Sequence, residues 1–204
     1  MRNSDTYHTI VKSFEGEIFK DKGSKFHGFA FPVTNENQVK GFIDELKSQH
    51  HKARHWCYAW RIGEETIRFR VNDDGEPSNS AGQPILGQLV SFDVTNILVV
   101  VVRYFGGTKL GVGGLISAYK TSAKYVLDEA KIIEKTIDIY FKLIFEYEFL
   151  DKVMRIVKEK NLRVNHQIME MNCAFEISVR KKDAATIKTT FENLRCLQIN
   201  EIED

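Results

Sequence analysis

The stretch RYFGGTKLGVGG, residues 103–114, packs five glycines with Arg103 and Lys109 between an apolar run and a helix-like pattern. Glycine costs roughly 0.5–1 kcal/mol relative to alanine inside a regular element, so this density calls for a compensating use. A glycine-rich turn entering a helix can aim several main-chain N–H groups at one point, where the helix dipole also favours negative charge. Arg103 and Lys109 then add side-chain cations, while Gly106, Gly107, Gly113 and Gly114 let a phosphate or carboxylate approach the backbone. The spacing is neither G-x-x-x-x-G-K-[ST] nor a G-x-G-x-x-G dinucleotide turn, so it specifies no nucleotide. The competing use is structural: Gly106 and Gly107 supply positive φ, and Gly113 and Gly114 let the helix pack closely on a sheet.

Other candidates lie upstream. NDDGEPSNSAGQPI groups Asp73, Asp74 and Glu76, but lacks the alternating ligands and late glutamate of a calcium loop, and Asp74-Gly75 is ordinary turn chemistry. In ARHWCYAWR, strand alternation sends Arg54, Trp56, Tyr58 and Trp60 to one face and His55, Cys57, Ala59 and Arg61 to the other. The aromatic row is either core or a platform for stacked bases. His55 and Cys57 share a face, but such neighbours stand about 6.5–7 Å apart, too far for a nucleophile–base pair unless the side chains bend together. DKGSKFHG sets Lys22 and Lys25 around a tight turn. If that tip lies beside Arg54, Arg103 and Lys109, one basic face results.

The elements that must position these groups are legible. GEIFK and SKFHGFAFPV read as a hairpin, NENQVKGFIDELKSQHH as a helix capped by Asn35, and HWCYAWRIG with TIRFRVN as a second hairpin. NDDGEPSNSAGQPILGQLVSF begins as a polar loop and ends as a helix with Pro84 in its first turn. NILVVVVRY is an apolar run of a strand buried on both faces, and LISAYKTSAKYVLDEA is an amphipathic helix. Beyond it, EKTIDIYFKLIFEY, FLDKVMRIVKEKN, RVNHQIME, NCAFEISVR, KKDAATIKTTFENL and RCLQIN follow the order βαββαβ, the ferredoxin-like split unit. The expected domains are residues 1–130 and 131–204.

Composition narrows the function. The 204 residues are 43% hydrophobic and 28% charged, enough for folded cores. Twenty-nine basic and 28 acidic side chains leave a net charge of +1, so any anion site is local rather than a property of the whole surface. Three cysteines without C-x-x-C spacing make a disulfide framework unexpected. The opening residues lack a signal pattern and the run Ile97 to Val102 is too short to cross a bilayer, so the expectation is a cytoplasmic protein without membrane contact.

Four blocks, KGSKF at 22–26, ARHWCYAWRIG at 53–63, DDGEPSNSAGQPIL at 73–86 and VVVRYFGGTKLGVGGLISAY at 100–119, closely resemble the YigZ and IMPACT protein family. The resemblance implies an α+β protein: an N-terminal α/β sandwich similar to domain IV of elongation factor G, with helices covering one side of its sheet, and a ferredoxin-like C-terminal domain. It also implies a role in translation, since eukaryotic IMPACT proteins regulate it by binding a co-activator of the starvation-responsive initiation-factor kinase, partly through an N-terminal domain not seen in this sequence. By motif position it points to Lys25, Arg54, His55, Asp74, Glu76, Arg103, Gly106, Gly107, Lys109, Gly113 and Gly114. Two departures stand out: Asn79-Ser80 replaces a frequent Gly-Thr, and Ser117 replaces a frequent arginine, removing a positive charge near the glycine loop.

The leading expectation is a non-enzymatic, translation-associated protein. It would bind RNA, the ribosome or a translation-factor surface through Lys25, Arg54, His55, Arg103, Lys109 and the glycines, with Asp74 and Glu76 in the adjoining loop and neither metal nor cofactor. Two alternatives stand beside it: a protein-interaction regulator that binds no nucleic acid, and a Mg²⁺-dependent enzyme acting on a phosphorylated metabolite.

Overall fold

The computed structural model describes residues 5–202. Their contacts divide into two compact units: residues 7–135, and residues 136–202 with Asp5 and Thr6. The first unit holds β1 (Thr6–Ile10), β2 (Phe14–Glu15), β3 (Phe19–Asp21), β4 (Ser24–Pro32), α1 (Glu36–Gln49), β5 (His55–Ile62), β6 (Arg68–Asn72), α2 (Gly82–Ser91), β7 (Ile97–Tyr104), α3 (Gly111–Glu129) and β8 (Ile132–Thr136). The second holds β9 (Asp138–Glu146), α4 (Leu150–Glu159), β10 (Arg163–Ile168), β11 (Asn172–Arg180), α5 (Lys181–Glu192) and β12 (Leu197–Ile202).

β7 is the axis of the first unit. It lies between β4 and β5, antiparallel to both, in a six-stranded sheet of order β2-β4-β7-β5-β6 with β3 also on β4. Every residue from Ile97 to Arg103 is buried. Ile97, Val99 and Val101 pack with Ile85 and Leu89 of α2 and Leu115 and Tyr119 of α3, whereas Leu98, Val100 and Val102 pack with Val39 and Leu46 of α1. Helices therefore cover both faces of the sheet, which corrects the expectation of one-sided cover. The physical reason is the unbroken apolar run, which leaves neither face of β7 suited to water. Alternation also assigns β5: Cys57 and Ala59 join the α2/α3 core, while Trp56, Tyr58 and Trp60 pack on the α1 side.

Local chemistry fixes the ends of these elements. Lys22 and Gly23 turn β3 into β4 with φ of 46° and 80°, the left-handed pair that a two-residue hairpin requires. Asn35 Oδ1 accepts the Gln38 N–H at 3.1 Å and caps α1. α2 has no side-chain cap from its own N-cap position. Asp73 supplies one from a distance: its Oδ1 accepts the N–H groups of Ala81 (3.0 Å) and Gly82 (2.8 Å), and its Oδ2 that of Asn79 (2.9 Å).

In the second unit the four-stranded antiparallel sheet runs β10-β11-β9-β12. Phe141, Leu143 and Phe145 stand opposite Ile177, Phe175 and Cys173 in register, and α4 and α5 cover that face through Val153, Ile156, Ile187 and Phe191. The alternating stretch 134–147 holds parts of two strands rather than one. Ile137 interrupts it, donating its N–H to the Asp5 carbonyl (2.8 Å) and accepting the Lys181 N–H (2.8 Å), while β8 pairs with β1.

Two tests follow from these contacts. Asp73→Ala removes the acceptor for three backbone N–H groups and should cost about 1–2 kcal/mol in urea unfolding, the upper range for a helix cap. His27 lies in β4 with Nε2 2.9 Å from Glu15 Oε1 and its ring 5.8 Å from that of His50. Burial holds its pKa below the ordinary imidazole value, against the pull of Glu15 and with the help of His50. The unfolded ring takes up its proton near pH 6.5 while the folded ring resists until lower pH, so this contribution is present above about pH 6.5 and is lost as pH falls below it. His27→Gln should flatten the stability profile between about pH 7 and 5, measured by urea titration at each pH.

Candidate basic cleft

Period-two alternation carries one more residue of β7 onto the α2/α3 face, and that residue is Arg103. His55 stands opposite it on β5, so both reach the same end of the core. Arg103 is 6% and Glu76 4% exposed in their side chains, and Arg103 Nη1 donates to Glu76 Oε1 at 2.5 Å. The same carboxylate oxygen accepts the Tyr119 hydroxyl at 2.8 Å and lies 3.9 Å from His55 Nε2. The guanidinium carbon sits 5.3 Å from the centroid of Phe26 and 5.6 Å from that of Phe105. Arg103 Nε has no hydrogen-bond partner among the described residues. Burying both charges costs solvation, which their contact and the extra donors offset; removing one partner leaves the other charge stranded.

The loop 73–77 is fastened around this pair. His55 Nδ1 lies 2.8 Å from the Asp74 carbonyl; a carbonyl only accepts, so Nδ1 carries the proton and in the neutral ring Nε2 faces Glu76 with its lone pair. Asp74 Oδ2 accepts the Trp56 N–H at 2.7 Å. Cys57 Sγ lies 3.0 Å from the Asp73 carbonyl and 3.3 Å from the Tyr119 hydroxyl. Burial pushes the Cys57 thiol far up, partly countered by the Tyr119 bond, and burial likewise raises Tyr119. Cys57 is therefore a protonated core thiol and not a nucleophile paired with His55.

Above the pair opens a cleft of 540 Å³. Arg54, His55, Glu76, Arg103 and Lys109 form its polar side, and Phe105, Leu110, Val112 and Leu115 its apolar side. Phe105 is 42% and Val112 52% exposed. α3 begins at this cleft with no side-chain cap, leaving its first N–H groups to the cleft or to water. Arg54 and Lys109 are exposed, and neither has an ion pair among the described residues.

The expected site residues divide accordingly. Arg54, His55, Glu76, Arg103 and Lys109 meet in the cleft, with Arg103 already matched by Glu76 rather than held open for an anion. Arg54 corrects the expectation that it shares the face of Trp56: it precedes β5 and so is not bound by the strand's alternation. Lys25 pairs with Tyr104 in register and so takes the opposite, α1-facing side of the sheet; it is not part of the cleft lining. Asp74 holds β5 and does not line the cleft. Gly107 has φ of 87° and open space around it. Gly106 has another use: a Cβ there would stand 1.9 Å from the Gly23 carbonyl carbon, so the loop lies backbone to backbone on the β3–β4 turn. That contact brings the Lys22 hairpin tip beside the loop, and Ser24 Oγ accepts the Gly106 N–H at 3.2 Å. Gly113 and Gly114 are inside α3; a Cβ on Gly113 would meet nothing within 4 Å and one on Gly114 only Leu110, the residue just before the helix, so neither serves close packing on the sheet.

Residues 22–127, just over half of the chain, match the model of the Impact N-terminal domain. The chain belongs to the IMPACT family. IMPACT family member YvyE of Bacillus subtilis (strain 168) is 35% identical over 178 residues, covering 87% of this chain and 82% of its own. A Protein IMPACT homolog of Saccharomyces cerevisiae is 42% identical over 107 residues, 48% of this chain and 41% of its own. A solved hypothetical protein superposes with a TM-score of 0.74 at 25% identity, covering 98% of this chain and 99% of that one. The IMPACT-matching segment contains every residue of the cleft.

Ser24, Tyr119, Phe105 and Leu110 escaped the sequence reading of the cleft. Tyr119 had a usable signal: one helical turn after Leu115, it must share that residue's core-facing side. Glu76→Leu should cost about 3–5 kcal/mol by stranding buried Arg103, whereas Glu76→Leu combined with Arg103→Met should recover at least half of that loss. Chemical denaturation of the single and double variants measures both; an unrelieved loss in the double variant would mean that packing, not charge, is what Glu76 supplies.

Proposed function

We propose that this IMPACT family member is a translation-associated regulatory protein whose first unit binds RNA of the translation machinery in the cleft. The regulatory part rests on family membership together with the translational role that the resemblance attaches to eukaryotic IMPACT proteins. The RNA-binding part rests on one observation: an uncapped helix N-terminus, Arg54 and Lys109 without an ion pair among the described residues, and exposed Phe105 share a single cleft. Phosphate suits the first two and a base stacked on the ring suits the third. The Arg103–Glu76 pair beneath acts as floor, holding Phe105 from below rather than supplying net charge.

The strand order β10-β11-β9-β12 supports a ferredoxin-like reading of the second unit, and the domain-IV-like reading of the first follows from the resemblance alone. The magnesium-dependent alternative loses support because its carboxylates are committed: Asp73 to the amides of α2, Asp74 to the Trp56 N–H, and Glu76 to Arg103 and Tyr119.

The test is anisotropy of a fluorescent single-stranded RNA across a salt series. Affinity should fall steeply with salt, and Arg54→Ala/Lys109→Ala should reduce the log–log slope by about 1.4, or about 0.7 for each lost phosphate contact. Phe105→Ala should weaken binding roughly fivefold to a hundredfold with the slope unchanged, since stacking is worth ~1–3 kcal/mol and is not ionic. No binding at low salt would reject RNA as the ligand and leave a protein surface as the partner.

A further inference from the structure

The other notable surface is the open edge of the large sheet. β6 pairs with β5 on one side only, and no strand lies on its other side among the described residues. Arg68, Phe69 and Arg70 are all exposed, Phe69 by 60%. A large exposed ring on an unpaired edge is a feature proteins ordinarily guard against. The register, with Arg70 opposite Trp60 and Arg68 opposite Ile62, sends both arginines to the α1 face, while Phe69 and Val71 point to the other.

Next to Arg70, between the sheet and α1, is a groove of 350 Å³ floored by Trp56, Tyr58 and Trp60, with Lys40 and Lys47 on its rim. Trp56 Nε1 is buried without an acceptor among the described residues, and Lys47 Nζ rests 5.7 Å from the centroid of that ring. The acidic neighbours are few and mostly engaged. Glu36 is 3.6 Å from Arg68, the Asp74 carboxylate holds the Trp56 N–H, and Glu64 and Glu65 lie in the turn before β6. Lys40, Lys47 and Arg70 have no carboxylate within ion-pair distance among the described residues. This face is separate from the cleft and its apolar rim.

We propose that β6 is a docking edge for an extended acidic segment of a partner protein, which joins the sheet as a further strand. Main-chain bonds to the open edge supply affinity and alternate side chains supply selectivity. Acidic side chains at every second position meet Arg68, Arg70, Lys40 and Lys47, and an intervening apolar one meets Phe69, Val71 being packed on the core beside Gly82. Charge selects this occupant over a second copy of the chain. Antiparallel self-pairing centred on Arg68, Phe69 or Arg70 sets an arginine directly opposite an arginine each time, and like charges in that position are destabilising.

The probe is a fluorescein-labelled, end-blocked hexapeptide of alternating glutamate and valine, with its lysine–valine counterpart as control. It is titrated into the full chain by anisotropy and by ¹H–¹⁵N NMR. The acidic peptide should bind and shift the amides of residues 68–71, and the lysine peptide should not. Arg68→Glu/Arg70→Glu should weaken binding at least tenfold, and the milder Arg70→Ala severalfold, with the RNA affinity of the cleft unchanged in both. Two isomers of the acidic peptide, N-methylated on one or the other alternate set of backbone nitrogens, separate strand addition from charge: only one should lose binding. Equal binding of the two isomers, indifference to the charge reversal, absence of binding at low salt, or RNA shifting the same amides in place of peptide would each overturn the proposal. Because neither arginine touches the cleft, a failure here leaves the RNA reading standing, and a failure of that reading leaves this one standing.

Discussion

Arg103, next to the last residue of the central strand, carries a charge that β-strand alternation forces into the core, and Glu76 is the group that makes this tolerable. The rest of the cleft is arranged around that neutralisation. The carboxylate comes from a loop rather than from the sheet, so the loop must be fixed, and the bonds from Asp73 to α2 and from Asp74 to β5 fix it. The guanidinium in turn gives Phe105 a surface to rest on, which keeps a large ring at the mouth of the cleft. Charge burial, loop anchoring and ring presentation are thus one linked arrangement, with the solvation cost of Arg103 as its origin.

The acidic loop and the glycine loop consequently divide their labour differently from what composition suggests. Three carboxylates in a polar loop look like cation ligands, yet each is spent on holding structure. Five glycines look like one flexible cradle, yet their uses differ. Gly106 permits backbone contact with the β3–β4 turn, Gly107 and Gly111 adopt positive φ, and Gly113 and Gly114 lie in the first turn of a helix whose N-cap position supplies no side-chain bond.

Much of the fold was legible because it is written in local periodicity. The seven-residue buried run of β7, the two-sided pattern of β5, the Asn35 cap and the βαββαβ order after residue 136 all follow from nearest-neighbour rules. What stayed hidden depends on distant partners. β1 and β8 pair across more than a hundred residues, and the pattern of 134–147 runs on unbroken through Ile137, whose interruption comes from bonds to Asp5 and Lys181. The cleft shows the same split. Alternation puts His55 and Arg103 on the faces they occupy, but it also puts Lys25 on the opposite face, which motif position alone does not reveal. Glu76 was legible as a neighbour of the site, whereas its bond to Arg103, twenty-seven positions away, was not.

Cys57 lies beneath the Glu76–Tyr119 bond, fully enclosed and held protonated by its surroundings. A thiol in that position is silent towards alkylating reagents while the cleft floor is closed and becomes reactive only when the floor parts. The cysteine is therefore a built-in clock for the breathing of this end of the domain, one that counts openings too brief to alter the average structure.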